Sequence, residues 1–260
     1  MPSAIPDIAV IAGSGFDSLL KEPVSVTIET PYGLPSADIA IGNVAGRRVA
    51  LLARHGSANE HPPHLVNYRA NIWALRKVGA RRILSACTVS SLQPATRPGT
   101  FVVPDQLVDR TGRVQSFMDT GIVHAPFAEP FCSQFRSSIL NEDVIDGGTL
   151  VVIDGPRFST RAEAEWYAAQ GWSMINMTGH PEAILARELG LCFASLALVA
   201  NRDAGVASTA PADEPRPPQH ADSIDRLKGL VAQAISAMPA LEECPCRTWL
   251  GTVDLPFELP

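Results

Sequence analysis

Short runs of apolar residues recur along the chain, with segments of helical spacing between them, and this alternation is the α/β pattern. Asp7-Ile8-Ala9-Val10-Ile11-Ala12 reads as a buried strand running into Gly13-Ser14-Gly15. Further strands are expected at 49–52, 82–89, 100–104, 149–153, 174–177 and 192–200. A helix is expected over 68–78, where Ile72, Leu75 and Val78 share one face and Gly79 follows as a C-cap. Thr160, with Glu163 three residues on, has capping-box spacing and opens a helix running to Gln170. A helix over 181–189 has a proline near its first turn and Gly190 at its end, and 223–238 is the last amphipathic helix. The stretch 210–218, rich in proline and charge, reads as a surface loop. There is no internal repeat and no linker, so residues 1–260 read as one α/β domain, a central sheet with helices.

The pattern has a functional consequence. Gly13-Ser14, Arg54-His55, Cys87-Thr88, Met177-Thr178 and Asn201 all fall at the expected C-terminal ends of strands, where open α/β sheets bind ligands. Gly13-Ser14-Gly15 reads either as a tight turn or as an anion cradle of backbone amides and one hydroxyl. It is neither GxGxxG nor a P-loop. Arg54 reads as a surface ion pair or as a bidentate clamp on an oxyanion, with His55 as a second donor. Met177 suits core packing or the apolar face of a ribose. Glu182 suits the first turn of a helix or the hydroxyls of a sugar.

Composition narrows the classes. Hydrophobic residues make up 46% of the 260 residues, enough for a large core, and charged residues 18%. The net charge of -6, without a Lys/Arg run, argues against a nucleic-acid partner. Apolar runs such as Cys192 to Ala200 are too short for a bilayer, and the N-terminus has no signal-peptide pattern. Five cysteines, with Cys87, Cys132 and Cys192 in apolar surroundings, fit buried thiols in a reducing cytoplasm. Cys244-Pro245-Cys246 would need further ligands to hold a metal, and none is evident in the sequence, so a structural or local redox role is expected and no metal site. Gly-x-Ser-x-Gly, His-Glu-x-x-His and Cys-x-x-Cys are all missing, which removes three common hydrolytic and redox chemistries.

Several segments together are more specific than any one: Arg54-His55-Gly56; Pro63-His64-x-x-Asn67-Tyr68-Arg69-Ala70-Asn71-Ile72-Trp73-Ala74-Leu75; Pro104-Asp105-Gln106-Leu107-Val108-Asp109-Arg110-Thr111; Ala128-Glu129-Pro130-Phe131-Cys132; Gly155-Pro156-Arg157-Phe158-Ser159; and Asn176-Met177-Thr178 with Pro181-Glu182-Ala183. With these the chain, from Ile8 to Asp203, resembles the methylthioadenosine phosphorylase branch of the trimeric purine nucleoside phosphorylases. The resemblance implies a single-domain three-layer sandwich around a mixed sheet. It also implies a homotrimer with shared active sites, inorganic phosphate as co-substrate, and no metal or organic cofactor. Ser14, Arg54, His55 and Thr178 match phosphate-binding positions, and Cys87 and Thr88 a small phosphate-contacting pair. Phe158 and Met177 match residues on the base and the sugar, and His124 one that a neighbouring subunit lends to the 5′ end. Asn201 and Asp203 match the pair that reads the purine edge.

The departures carry the specificity. Asn201 stands where the adenine-specific branch has aspartate, and an amide can donate to a 6-oxo group. The expectation is therefore a phosphorylase leaning to inosine, guanosine or methylthioinosine, with methylthioadenosine phosphorylase as the alternative. Ser90 replaces a glycine, Thr88 an alanine and Asn59 a histidine near the 5′ region. Those changes leave a third reading, a purine-binding trimer with impaired turnover.

Overall fold

The structure, a computed structural model, describes residues 5–13, 15–206, 220–240 and 243–260, with the side chains of residues 220 and 221 excepted. Ser14 and the loop expected over 210–218 lie outside the described residues. The strands are β1 (Ile8–Ala12), β2 (Lys21–Val26), β3 (Ile39–Val44), β4 (Arg47–Ala53), β5 (Arg82–Ser91) and β6 (Phe101–Val103). They continue as β7 (Gln106–Arg110), β8 (Val144–Asp146), β9 (Thr149–Ile153), β10 (Met174–Asn176) and β11 (Cys192–Arg202). The helices are α1 (Tyr68–Lys77), α2 (Ser133–Ser137), α3 (Arg161–Ala169), α4 (Gly179–Glu188), α5 (His220–Ala237) and α6 (Pro245–Thr248).

All the strands join one mixed sheet. Its centre is parallel: β1 lies between β4 and β5, with Ile8 level with Val49 and Arg82, and β11 runs along the other side of β5. Strand side chains alternate between faces. Accordingly Ala9 and Ile11 of β1 join a core with Leu52, Ile72, Leu75 and Leu185 under α1 and α4, while Ile8 and Val10 join one with Leu227 and Val231 of α5. Every residue of β1 is buried, as a doubly covered strand requires. A third cluster, Val151, Ala164, Tyr167 and Ile175, seats α3 on β9 and β10. The result is a three-layer sandwich.

The helix starts follow their caps. The Asn67 carboxamide oxygen accepts from the Ala70 amide and opens α1. At α3 the Thr160 hydroxyl and the Glu163 carboxylate cap each other's backbone amides reciprocally. Four strands escaped the sequence reading. β2 is an exposed edge containing Pro23, so burial imposed no apolar pattern on it. β3 mixes exposed, half-buried and buried positions, and β7 and β8 have only half-buried and exposed ones. β5 also runs past 89 to Ser91, so Cys87 and Thr88 stand within a strand rather than at its end.

Candidate active site

One cavity of about 630 Å³ gathers residues from several strands and from α5. Gly13 follows β1, Arg54 and His55 follow β4, and Ala86 to Ser90 lie along β5. Met177 and Thr178 follow β10, Asn201 and Asp203 come from the end of β11, and Ile224, Asp225 and Lys228 come from α5. From Ala86 to Ser90 the strand advances about 13 Å, enough to hold a sugar with an anion at one end and a base at the other.

Arg54 differs from both sequence readings. It is 1% exposed, so it is no surface ion pair. Its bidentate partner is Glu182, itself 1% exposed: Nε donates to Oε1 at 2.5 Å and Nη2 to Oε2 at 3.1 Å. Nη2 also donates to Ser85 Oγ at 2.7 Å and Nη1 to the Ala86 carbonyl at 3.3 Å, while Ser85 Oγ donates to Glu182 Oε2 at 3.0 Å. Burying either charge alone would be costly, and the pair compensates both. These bonds take four of the five guanidinium hydrogens and leave one on Nη1, so Arg54 has no bidentate fork left for an oxyanion. Glu182, 1% exposed and not among the residues lining the cavity, spends its carboxylate on Arg54 and Ser85 rather than on sugar hydroxyls.

His55 is oriented by its neighbour. Nδ1 lies 2.8 Å from the His61 carbonyl, which accepts its hydrogen and leaves Nε2 as the acceptor of the neutral ring. Burial depresses its pKa, with the Arg54 charge adding to the effect. His55 therefore accepts a proton or hydrogen bond at Nε2 near neutral pH, where the sequence reading had it as a donor. His180, 2% exposed, is also pushed down, chiefly by burial and against the pull of Asp109. For groups with lowered folded pKa, the unfolded chain takes up protons that the folded chain refuses. Stability from both histidines is present above about pH 6.5 and is lost as pH falls below that value. Thermal midpoints should fall from pH 7 to pH 5, with a shallower fall in His55→Gln; matching slopes for variant and wild type would refute the assignment.

The hydroxyls of Thr88 and Thr178 line the cavity and hydrogen-bond to none of the described residues. Asn176 sets the second of them: its Oδ1 accepts from the Thr178 and Gly179 amides at 3.3 Å each. Its Nδ2 faces Cys87 Sγ at 3.6 Å, and Ser195 Oγ lies 3.5 Å from the same sulfur. Cys87 thus sits among polar groups, and burial raises its pKa, keeping it a neutral thiol. Met177 is held by geometry at Gly155. There φ is +68°, and a Cβ would meet Met177 Sδ at 2.5 Å, so glycine alone fits. Phe158 is 58% exposed and forms the cavity rim.

At the other end a β-bulge aims the polar edge. The β11–β5 register slips between Val199 and Asn201, and this sets Asn201 opposite Ser90. The Ser90 hydroxyl donates to Asn201 Oδ1 at 3.2 Å, and Nδ2 donates to the Arg202 carbonyl at 2.9 Å. Asp203 is 6% exposed and accepts from Ser159 Oγ at 3.1 Å and the Ala204 amide at 2.7 Å. Its burial raises its pKa. Asn59 and His124 are exposed and do not line this cavity. Sequence reasoning missed Ser85, Asn176, Ser159, Ser195 and the α5 residues. The three serines and Asn176 looked like ordinary small polar residues, and nothing in the sequence links α5 to strands 130 or more residues earlier.

A phosphorylase-type α/β sandwich with one composite strand-end cavity is the class that the fold and the site define. Residues 7–236 match the family described as "Phosphorylase superfamily". A purine nucleoside phosphorylase of Streptomyces coelicolor is 48% identical over 98% of each chain. An S-methyl-5'-thioadenosine phosphorylase of Mycobacterium tuberculosis is 49% identical over 97% of each. The methylthioadenosine phosphorylase of Schistosoma mansoni in its apo form superposes with a TM-score of 0.82 at 33% identity, covering 91% of this chain and 92% of its own. The chain belongs to the phosphorylase superfamily, in the methylthioadenosine phosphorylase branch of the purine nucleoside phosphorylases. It is an enzyme of the pentosyltransferase class.

Proposed function

We propose that the protein cleaves the N-glycosidic bond of purine nucleosides with inorganic phosphate, releasing free purine and a ribose 1-phosphate or its 5-substituted analogue. We also propose a preference for 6-oxopurine substrates: inosine, guanosine and methylthioinosine. The observation that carries the preference is the Ser90–Asn201–Arg202 arrangement. The amide lies with Nδ2 towards the Arg202 carbonyl, and a carboxylate there would put two acceptors 2.9 Å apart. Asn201 keeps one Nδ2 hydrogen, which suits a 6-oxo group, and one Oδ1 lone pair for a protonated ring nitrogen.

In this reading the anion lies among Gly13, His55, Cys87, Thr88 and Thr178, and Ser14, outside the described residues, is assigned to it only by the resemblance. The hydroxyls of Thr88 and Thr178 donate to it, Nε2 of His55 accepts the hydrogen of a protonated phosphate oxygen, and Arg54 adds one hydrogen bond. The ribose lies against Met177, and the base reaches the Phe158 rim. The C1′–N9 bond breaks as positive charge grows on the sugar, and the neighbouring phosphate stabilises that charge and bonds to C1′. The electron pair of the broken bond passes to the purine, which takes up a proton or strong hydrogen bond at N7 from the Asn201–Asp203 end. No organic cofactor enters. His124, exposed near Ile122 (88% exposed) and outside its own chain's cavity, suits a residue lent to a neighbouring copy in a homotrimer. No described helix is long and apolar enough to cross a membrane, and the proposed setting is the cytoplasm.

Initial rates on inosine, guanosine, adenosine and methylthioadenosine, with and without phosphate, test the proposal. Purine release should require phosphate and favour the 6-oxo pair. Equal rates in phosphate-free buffer would remove the reaction, and a preference for methylthioadenosine would move the chain to the activity named for its Mycobacterium relative. Asn201→Asp should lower kcat/KM on inosine about 10- to 100-fold, the cost of one mismatched buried group, and raise the adenosine-to-inosine ratio. An unchanged ratio would sink the amide argument.

A further inference from the structure

At the end of β11 opposite to Asn201, four cysteines from three segments meet. Cys132 precedes α2, Cys192 opens β11, and Cys244 and Cys246 flank the start of α6. All four are buried, and their Sγ atoms lie within 4.8 Å of one another, with Cys132 and Cys244 at 3.5 Å. The sequence showed only the Cys-Pro-Cys pair and suggested that no further ligand was in reach. That expectation is corrected by the fold: the Cys132 amide donates to the Phe193 carbonyl at 2.8 Å, which ties the segment before α2 to the start of β11, and α6 packs its cysteines against both.

We propose that these four thiols form a structural tetrathiolate site for a zinc-type divalent ion. A tetrahedral zinc with bonds of about 2.3 Å holds its sulfurs about 3.8 Å apart, which is the scale of this cluster. An all-sulfur set of four selects zinc or iron over calcium or magnesium. The ion replaces four thiol protons and leaves a net charge of -2 on the centre. The guanidiniums of Arg82 and Arg187 lie close enough to act electrostatically on Cys192 and Cys246. A second cavity of about 220 Å³, lined by Cys132, Cys192, Arg82, Phe135 and Met238, gives the ion a way in. The site pins the C-terminal segment to the sheet through α6, on the face opposite α1 and α4.

The test uses the full chain, expressed without a histidine tag, kept reduced, exposed to excess zinc and dialysed. About one zinc per chain should remain by mass spectrometry of the metal. Cobalt in place of zinc should give the intense thiolate charge-transfer band and the visible bands of a tetrahedral centre. Cys244→Ser/Cys246→Ser should lose the metal and the band, while Cys87→Ala should keep both. Because the cobalt spectrum is read on the wild type, a misfolded variant does not spare the proposal. Wild-type protein that binds no stoichiometric metal overturns it, as does a cobalt spectrum without thiolate bands. So does denatured, unreduced protein in which these cysteines resist alkylation and the mass is short by two hydrogens per bond, the signature of disulfides.

Discussion

Glu182→Ala should destabilise the protein by about 3–5 kcal/mol, read as a fall in denaturant midpoint at unchanged slope. The reason is the charge it leaves behind. Arg54 is enclosed by β1, β4, β5 and α4, and Glu182 takes its Nε and one Nη2 hydrogen. Ser85 alone cannot neutralise a guanidinium. Phosphate supplies a second arm to the measurement. An anion bound within reach of Arg54 replaces part of the lost counter-charge, so added phosphate should raise the midpoint of Glu182→Ala more than that of wild type. Equal phosphate shifts would show that the anion does not sense Arg54. A loss below 1 kcal/mol would show that water has reached the arginine. Glu182→Gln, which keeps acceptors and removes charge, should fall between the two.

This ion pair marks what the sequence could and could not tell. Arg54 stood out because it follows a strand, and Glu182 because it opens a helix, but they are 128 residues apart and nothing local couples them. The central strands and the long helices were legible because burial on both faces, helical periodicity and caps are local signals. The edge strand β2 was not, because solvent imposes no alternation on it. The polar edge was legible as residue types: Asn201, Asp203 and Ser90 were all singled out. Their coupling was not, since it depends on one extra residue in β11 that brings Asn201 level with Ser90. The four-thiol cluster is a further case. Cys132 and Cys244 are 112 residues apart, and only the placement of β11 between their segments brings them together.

Asp203→Asn should raise thermal stability at neutral pH by a few degrees while lowering kcat/KM about 10²- to 10⁴-fold. The two effects share one cause. Burial raises the Asp203 pKa above its unfolded value, and no cation pairs with it among the described residues. The folded chain therefore holds that proton more tightly than the unfolded chain. Its contribution is favourable below the unfolded pKa of about 3.9 and is lost as pH rises through the folded value. At pH 7 the fold carries an ionised carboxylate that it disfavours. Asparagine has the same shape: its Oδ1 can accept from the Ala204 amide and its Nδ2 can donate to Ser159 Oγ, so the burial cost vanishes without a cavity. The stability gain should shrink as pH falls, towards zero below the unfolded pKa of about 3.9, where folded and unfolded wild type both hold the proton. The rate loss follows because asparagine cannot supply the proton that the protonated fraction of Asp203, favoured by its burial, passes to the departing N7. A merely structural carboxylate would behave otherwise: its amide variant would lose stability and keep its rate, and that pair of results would take Asp203 out of the chemistry.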